Sequence, residues 1–122
     1  MKIHESAENY LETILILSQK NGNVRSIDIA NELTFSKPSV SVAMKNLRNA
    51  GHILVDGDGY ITLTKSGRQI AETIYERHTL ISDWFIRLGV SEKTAREDAC
   101  RIEHVISAES FAAIKKHVTG QD

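Results

Sequence analysis

Apolar residues in the first fifty positions recur at helical spacing. From about Ser6 to Gln19 they stand three or four residues apart, with Ser6 as the predicted N-cap. A short second helix is predicted to follow an N-cap at Ser26. A third helix is predicted to follow an N-cap at Ser36, and its first turn tolerates Pro38. The three letters "TFS" between them are typical of a tight turn. The pattern therefore predicts three helices, the last two forming a helix-turn-helix.

The period of the pattern changes from about 3.6 residues to two after Ala50-Gly51. The stretch "HILVDGDGYITLT" holds two β-like runs around Asp56-Gly57-Asp58-Gly59, and Asp-Gly between such runs is a strong hairpin signal. Helix, helix, turn, helix and hairpin in this order predict a winged helix-turn-helix.

The remaining half of the chain is predicted to be helical. A long helix is capped by Thr64 and stopped by Gly89, and two shorter helices are capped by Ser91 and Ser107. The predicted fold class is mainly α with a small β-hairpin. An N-terminal winged helix-turn-helix spans residues 1–71, and a helical domain spans residues 72–122.

Composition narrows the setting in which the protein works. One cysteine among 122 residues rules out an internal disulfide framework, and the apolar runs are too short to cross a bilayer. The start "MKIHESAENYLETI" is polar and acidic, without a signal-peptide core, so a cytoplasmic location without a membrane partner is expected.

Charge is distributed unevenly although the net charge is only −1. Residues 19–68 hold seven basic and four acidic side chains, whereas residues 69–122 hold seven basic and nine acidic ones. Any surface that contacts double-stranded DNA is therefore expected in the first half.

The third helix and its surroundings supply the candidate DNA contacts. The second helix of a helix-turn-helix enters the major groove, where short polar side chains at its start approach bases and phosphates. A solvated surface is the alternative for a basic, serine-rich helix. The helix face shows no bidentate arginine or glutamine, so base choice is expected to rest partly on thymine methyls and DNA shape. The predicted DNA-binding residues are Arg25, Ser26, Ser36, Lys37, Pro38, Ser39, Ser41 and Lys45.

The stretch "EDACRIEHVIS" carries the other candidate chemistry. On a helix, positions i, i+3 and i+4 share one side, so Cys100, Glu103 and His104 are predicted to converge. Thiolate, carboxylate and imidazole together are metal-ligand chemistry. The alternatives are a small buried cysteine beside a chance Glu-His pair, or a Cys-His nucleophile. A chain of this size leaves little room for a substrate cleft, so no enzyme and no small organic substrate are predicted.

Several stretches together resemble one family. "SAENYLETILIL", "KPSVSVAMKNLRNAG", "ITLTKSGRQIA", "RHTLISDWF" and above all the Cys-x-x-Glu-His element are similar to the DtxR/MntR family of iron- and manganese-dependent transcriptional repressors. The similarity covers nearly the whole chain. It implies the short two-domain form without an SH3-like domain, the second domain being the metal-binding and dimerisation domain.

The resemblance also implies a ligand set. It assigns the metal to His78, Cys100, Glu103 and His104, with Asn9 and Glu12 from the first helix, and leaves open whether Glu97 or His4 joins. Cys100 matches the iron-type members and Glu12 the manganese-type members, so the set is mixed. The implied ion is Fe²⁺ or Mn²⁺, with a preference for Fe²⁺, and Zn²⁺, Co²⁺ or Ni²⁺ can substitute in vitro. The positions of the family's ancillary site fall on Ser82 and Arg96, which implies its loss.

The predicted function is that of a metal-dependent repressor of metal-ion homeostasis. The divalent metal acts as corepressor and fixes a homodimer for operator DNA. The alternatives are a metal-independent winged-helix regulator with a structural or redox-sensing Cys100, and a winged helix that binds proteins instead of DNA. A homodimer is also favoured by apolar residues in excess of what two short helices need: Ile81, Trp84, Phe85, Leu88, Val105, Ile106, Phe111 and Ile114.

Overall fold

The computed structural model describes residues 5–120 and confirms the predicted fold class. Six helices and one antiparallel hairpin follow one another in the predicted order. The chain divides within its longest helix into a first unit ending at Glu72 and a second starting at Thr73. The functional boundary predicted after residue 71 stays a prediction. The elements are α1 (Glu5–Asn21), α2 (Ser26–Leu33), α3 (Lys37–Asn49), β1 (Ile53–Val55), β2 (Ile61–Leu63), α4 (Lys65–Arg87), α5 (Glu92–Ile102) and α6 (Ala108–Thr119).

The first unit has one apolar core. Apolar residues of α1, α2, α3 and both strands bury their side chains together, among them Leu11, Ile29, Val40 and Ile53. The hairpin pairs Leu54 with Thr62 in antiparallel register. The backbone N–H of Ile61 also donates to the Val24 carbonyl oxygen at 2.7 Å, which attaches the hairpin to the segment before α2. These contacts build the predicted winged helix-turn-helix.

Most predicted helix caps are confirmed, and two are wrong. The hydroxyls of Ser36, Ser91 and Ser107 each accept a hydrogen bond from the backbone N–H three residues on, and Thr64 Oγ1 accepts one from Gly67. Ser6 instead lies inside α1.

Ser26 is the first helical residue of α2, and Arg25 stands at its N-cap. The reason is that Asp28 reaches back over the helix start. Its Oδ2 accepts the backbone N–H of Arg25 at 2.9 Å, which satisfies the helix end without a serine cap.

The backbone near the start of α4 lies very close to the backbone of His52, the residue that precedes β1. A Cβ atom added to Gly67 would lie 2.0 Å from the His52 carbonyl oxygen, so only glycine fits at this position. That carbonyl also accepts the backbone N–H of Thr64, and His52 Nδ1 lies 3.0 Å from Ser66 Oγ. The close backbone approach, the backbone hydrogen bond and the side-chain contact together hold the wing against the start of α4.

The second unit has its own smaller core. Ile81 of α4, Ala99 of α5 and Phe111 of α6 are buried together, with Phe85 and Ile106 packed against them. Ile81 and Phe111 therefore serve this core. Of the apolar residues that suggested a dimer, the ones left most exposed are Leu88, at 65%, and Val105, at 76%.

None of the helices described between residues 5 and 120 is both long and apolar enough to span a bilayer.

Candidate metal centre and nucleic-acid interface

Glu103 is a fully buried carboxylate between two imidazoles. Its side chain is 0% exposed, His78 Nδ1 lies 3.1 Å from its Oε2, and His104 Nε2 lies 3.4 Å from its Oε1. Neither Glu103 oxygen accepts a well-oriented hydrogen bond from any residue that the structure describes. A buried carboxylate without such donors is costly unless it is paired or binds a cation.

The donors at this place fit a divalent metal ion. One carboxylate and two imidazoles are ligands for manganese, iron, cobalt and zinc, and imidazole must be uncharged to coordinate. His78 is held by α4, whereas Glu103 caps the end of α5 and His104 follows in the turn. Three of the four predicted ligands in the second unit thus lie close together, and they come from two segments.

Cys100 differs from Glu103 and His104 in solvent exposure. Helix α5 ends at Ile102, and Glu103 is its C-cap in right-handed helical conformation, with its backbone N–H donating to Ala99 O at 2.9 Å. The Cys100 side chain is exposed, whereas the His104 side chain is 3% exposed. Glu103 and His104 are therefore brought together, and Cys100 as a ligand stays a prediction.

The predicted ligands of α1 belong to the first unit. Glu12 is 6% exposed, unusual for an acidic side chain, and Asn9 is half-buried one turn before it. Glu97 is exposed on α5, and His4 lies outside the described residues. Their roles as ligands stay predictions.

The two positions of the implied ancillary site show no metal chemistry of their own. Ser82 is fully buried in α4, and Arg96 donates from Nε to Glu92 Oε1 at 3.2 Å on the surface of α5. A cationic side chain at one of the two positions is consistent with the predicted loss of that site.

The start of α3 presents the predicted DNA contacts to solvent. Lys37, Pro38, Ser41 and Lys45 are exposed, and the first turn of α3 contains no acidic residue. Ser36 Oγ donates to Ser39 Oγ at 2.8 Å, so these two hydroxyls are ordered by one another. The surface is polar and basic at the end of a helix whose free N–H groups favour anions.

The wing lies beside Arg25, one of the predicted DNA-binding residues. The guanidinium carbon of Arg25 lies 4.3 Å from the ring centroid of Tyr60, within the range of a cation–π contact. Asp56 Oδ1 accepts the backbone N–H groups of Asp58 and Tyr60, both at 2.9 Å, which holds the wing tip in one conformation. Arg25 is therefore joined to the wing as well as to α2.

Arg77 was identified only as the first residue of the stretch "RHTLISDWF", without a role of its own. Arg77 precedes His78 in α4, and its Nη1 donates to the carbonyl oxygens of Glu103 and Ile106. An arginine at a helical position has no sequence signal that reveals such a contact, because both acceptors are backbone atoms far along the chain.

Comparisons with known proteins agree with this architecture. Residues 2–61 match the domain described as "Iron dependent repressor, N-terminal DNA binding domain", and residues 64–120 match "Iron dependent repressor, metal binding and dimerisation domain". The chain is 33% identical over 111 residues to the transcriptional regulator MntR of Escherichia coli, covering 91% of this chain and 72% of that protein. It is also 33% identical over 113 residues to an uncharacterized HTH-type transcriptional regulator of Methanocaldococcus jannaschii, covering 91% of this chain and 90% of the relative.

A solved structure extends the likeness to three dimensions. The structure of the manganese regulator SloR superposes with a TM-score of 0.82 at 28% identity, covering 93% of this chain. This chain spans 53%, about half, of the SloR chain. The members of this family are transcriptional regulators and not enzymes. The chain belongs to the iron-dependent repressor (DtxR/MntR) family of metal-dependent transcriptional regulators.

Proposed function

We propose that this chain is a metal-dependent DNA-binding repressor of metal-ion homeostasis, with Fe²⁺ or Mn²⁺ as corepressor. The observation that carries the proposal is the buried Glu103 carboxylate, flanked by His78 and His104 inside the region matched by a metal-binding domain. The matched domain family is described as an iron dependent repressor and SloR as a manganese regulator, which supports these two ions.

The proposed ligands of the second unit are His78, Glu103 and His104, with Asn9, Glu12 and Cys100 as the further predicted members. A bound divalent cation supplies the positive charge that stabilises a buried carboxylate. His78 and His104 each hold one nitrogen within 3.4 Å of a Glu103 carboxylate oxygen; the His104 side chain is 3% exposed and that of His78 23%. Preorganised ligands of this kind lower the entropy lost on binding.

The proposed response to metal is a shift in population. The metal-loaded homodimer presents two α3 helices to half-sites about one helical turn, ~34 Å, apart, and the metal-free protein presents them less consistently. Linkage then requires that operator DNA increases metal affinity by the same factor as metal increases DNA affinity.

The test is DNA binding to the metal-transporter promoters of the source organism. Fluorescence anisotropy is recorded with chelator, Fe²⁺ under anaerobic conditions, or Mn²⁺, for the wild type, His104→Ala and His117→Ala. His117 is an exposed histidine of α6 and serves as the matched control. We expect metal to increase the affinity of the wild type and of His117→Ala at least tenfold, and of His104→Ala very little.

Equal affinity with and without metal in the wild type would contradict the metal response. An affinity independent of salt would contradict DNA binding through Lys37 and Lys45, because phosphate contacts release counterions.

The role of Cys100 is tested separately with Co²⁺. If the thiolate ligates, the Co²⁺ complex shows sulfur-to-metal charge-transfer absorption in the near ultraviolet, and Cys100→Ser loses it. We expect this band, as the resemblance implies; its absence in the wild type would remove Cys100 from the ligand set and leave the other ligands in place.

A further inference from the structure

Arg77 makes two hydrogen bonds to the turn that carries Glu103 and His104. Its Nη1 lies 3.1 Å from the carbonyl oxygen of Glu103 and 3.1 Å from that of Ile106. The last carbonyl groups of a helix have no intrahelical partner, and a cationic donor is favoured at that end of the helix dipole. Arg77 therefore satisfies the end of α5 from a neighbouring helix.

The Arg77 side chain is itself held in place. Its guanidinium carbon lies 5.6 Å from the ring centroid of Phe111, which is 7% exposed in α6. A guanidinium within about 6 Å of an aromatic face gains a cation–π contact, and its planar fork keeps its donors in a fixed geometry. Arg77 thus connects α4, the turn after α5, and α6.

Two consecutive residues of α4 contact the same residue from different sides. Arg77 binds the backbone carbonyl of Glu103, and His78 Nδ1 lies beside its carboxylate. The backbone of the turn is also closed from the α5 side, where Ile106 N donates to Ile102 O at 3.0 Å. The direction of the Glu103 and His104 side chains depends on the backbone that Arg77 holds.

We infer that Arg77 is a positioning residue of the metal centre, which orients Glu103 and His104 through the backbone without binding the ion. The inference rests on the proposed function, since it assumes that these side chains hold a metal. Hydrogen bonds that orient a metal ligand typically change metal affinity 10- to 100-fold when they are removed.

The direction of the change in metal affinity distinguishes a positioning role of Arg77 from a purely electrostatic one. A guanidinium next to the centre repels a cation, so loss of its charge alone predicts tighter metal binding. Loss of a positioning contact predicts weaker binding. Arg77→Ala removes charge and contact together, whereas Arg77→Lys keeps the charge and replaces the planar guanidinium by a flexible ammonium group.

The experiment measures the Mn²⁺ affinity of the full chain by titration with electron paramagnetic resonance detection of free Mn²⁺. The variants are Arg77→Ala, Arg77→Lys and the control Arg101→Ala. The Arg101 side chain is 80% exposed near the end of α5, with Nη1 3.9 Å from Asp98 Oδ1. We expect Arg77→Ala to weaken binding roughly 10- to 100-fold, Arg77→Lys to recover part of the loss, and Arg101→Ala to match the wild type.

A spectrum at saturation distinguishes positioning from a general loss of stability. With saturating Co²⁺, the ligand-field bands of Arg77→Ala are expected to shift, because the ligands are oriented differently, and those of Arg101→Ala to stay unchanged. Unchanged bands together with wild-type or tighter Mn²⁺ affinity in Arg77→Ala would overturn the inference.

If Arg77→Ala does not fold by circular dichroism, Arg77→Met, which keeps an unbranched apolar side chain but removes the charge and the donors, decides: wild-type affinity and spectrum in that variant would overturn the inference. A wild type that binds neither Mn²⁺ nor Fe²⁺ would instead refute the proposed function.

Discussion

At the scale of single residues, Glu103 is a carboxylate whose surroundings suit a bound cation. It is fully buried, it lies within 3.4 Å of two imidazole nitrogens, and its oxygens accept no hydrogen bond within the described part of the chain. A buried carboxylate destabilises a protein unless it is paired or binds a cation. The same residue is approached through its backbone by Arg77.

Glu103→Gln tests this residue with almost no change in shape. We expect Mn²⁺ affinity to fall on the order of a hundredfold or more, because even outer contacts of a ligand are worth 10- to 100-fold. Metal at a hundred times its dissociation constant raises wild-type stability by about 2.7 kcal/mol, and this gain is expected to vanish in the variant. Thermal unfolding with and without Mn²⁺ measures it.

Glu109→Gln is the control, since Glu109 is exposed in the first turn of α6. A Glu103→Gln protein that keeps the full metal-dependent rise in melting temperature would exclude this carboxylate as a ligand.

At the scale of elements, backbone groups decide how the winged helix-turn-helix is joined. The Gly67 position in α4 leaves no space for a side chain against the His52 carbonyl, whereas Gly57 in the wing has nothing within 4 Å of an added Cβ. Both residues lie in the first unit, Gly67 buried in α4 and Gly57 exposed in the turn of the wing.

Gly67→Ala is therefore expected to destabilise the protein by about 1–3 kcal/mol, the usual cost of overpacking a site that cannot relax. Gly57→Ala is expected to stay within about 0.5 kcal/mol of the wild type. Urea denaturation followed by circular dichroism compares the two. Equal stabilities would mean that the start of α4 moves away from His52 at little cost.

The first turn of α3 gives a second test at this scale, since two of its serines differ in role. Ser36 Oγ accepts the backbone N–H of Ser39 at 3.3 Å, whereas Ser41 is exposed within the helix. Ser36→Ala is expected to cost about 1 kcal/mol of unfolding free energy. Ser41→Ala is expected to be neutral or slightly stabilising, because alanine is the better helix former.

Both substitutions remove an exposed hydroxyl, and the loss of stability in Ser36→Ala relative to Ser41→Ala combines the lost cap with the helix propensity gained at position 41. Urea denaturation of the metal-free protein measures it, and a stable Ser36→Ala protein would show that the cap contributes nothing.

At the scale of the whole molecule, the question is how two copies meet. The family domain matched by residues 64–120 is described as a dimerisation domain. Leu88 and Val105 keep most of their apolar surface exposed in the single chain. Exposed aliphatic side chains in such a domain are candidates for burial in a homodimer.

Leu88→Lys and Val105→Lys are expected to weaken the homodimer. The reason is that a lysine buried without a partner at an apolar interface costs about 2–5 kcal/mol. Light scattering after gel filtration at micromolar protein measures the mass. Val42→Lys is the control, since Val42 is 60% exposed on α3 of the first unit. A wild type that is a monomer under these conditions would contradict the proposed spacing of half-sites.

The sequence by itself determined what depends on neighbouring residues. Helix order, the Asp-Gly hairpin and the serine caps of α3, α5 and α6 rest on contacts within a few positions, and these predictions are confirmed. The motif around Glu103 also identified the family, because its residue types and spacing are specific.

Only the tertiary structure decided where the side chains of the candidate centre lie. The spacing of Cys100, Glu103 and His104 did not show that Glu103 is fully buried whereas Cys100 is exposed. The contacts of Glu103 with His78 and Arg77 join residues about 25 positions apart and depend on how α4 packs against the end of α5. Burial and long-range hydrogen bonds of this kind arise from packing, and a linear pattern of residues does not encode them locally.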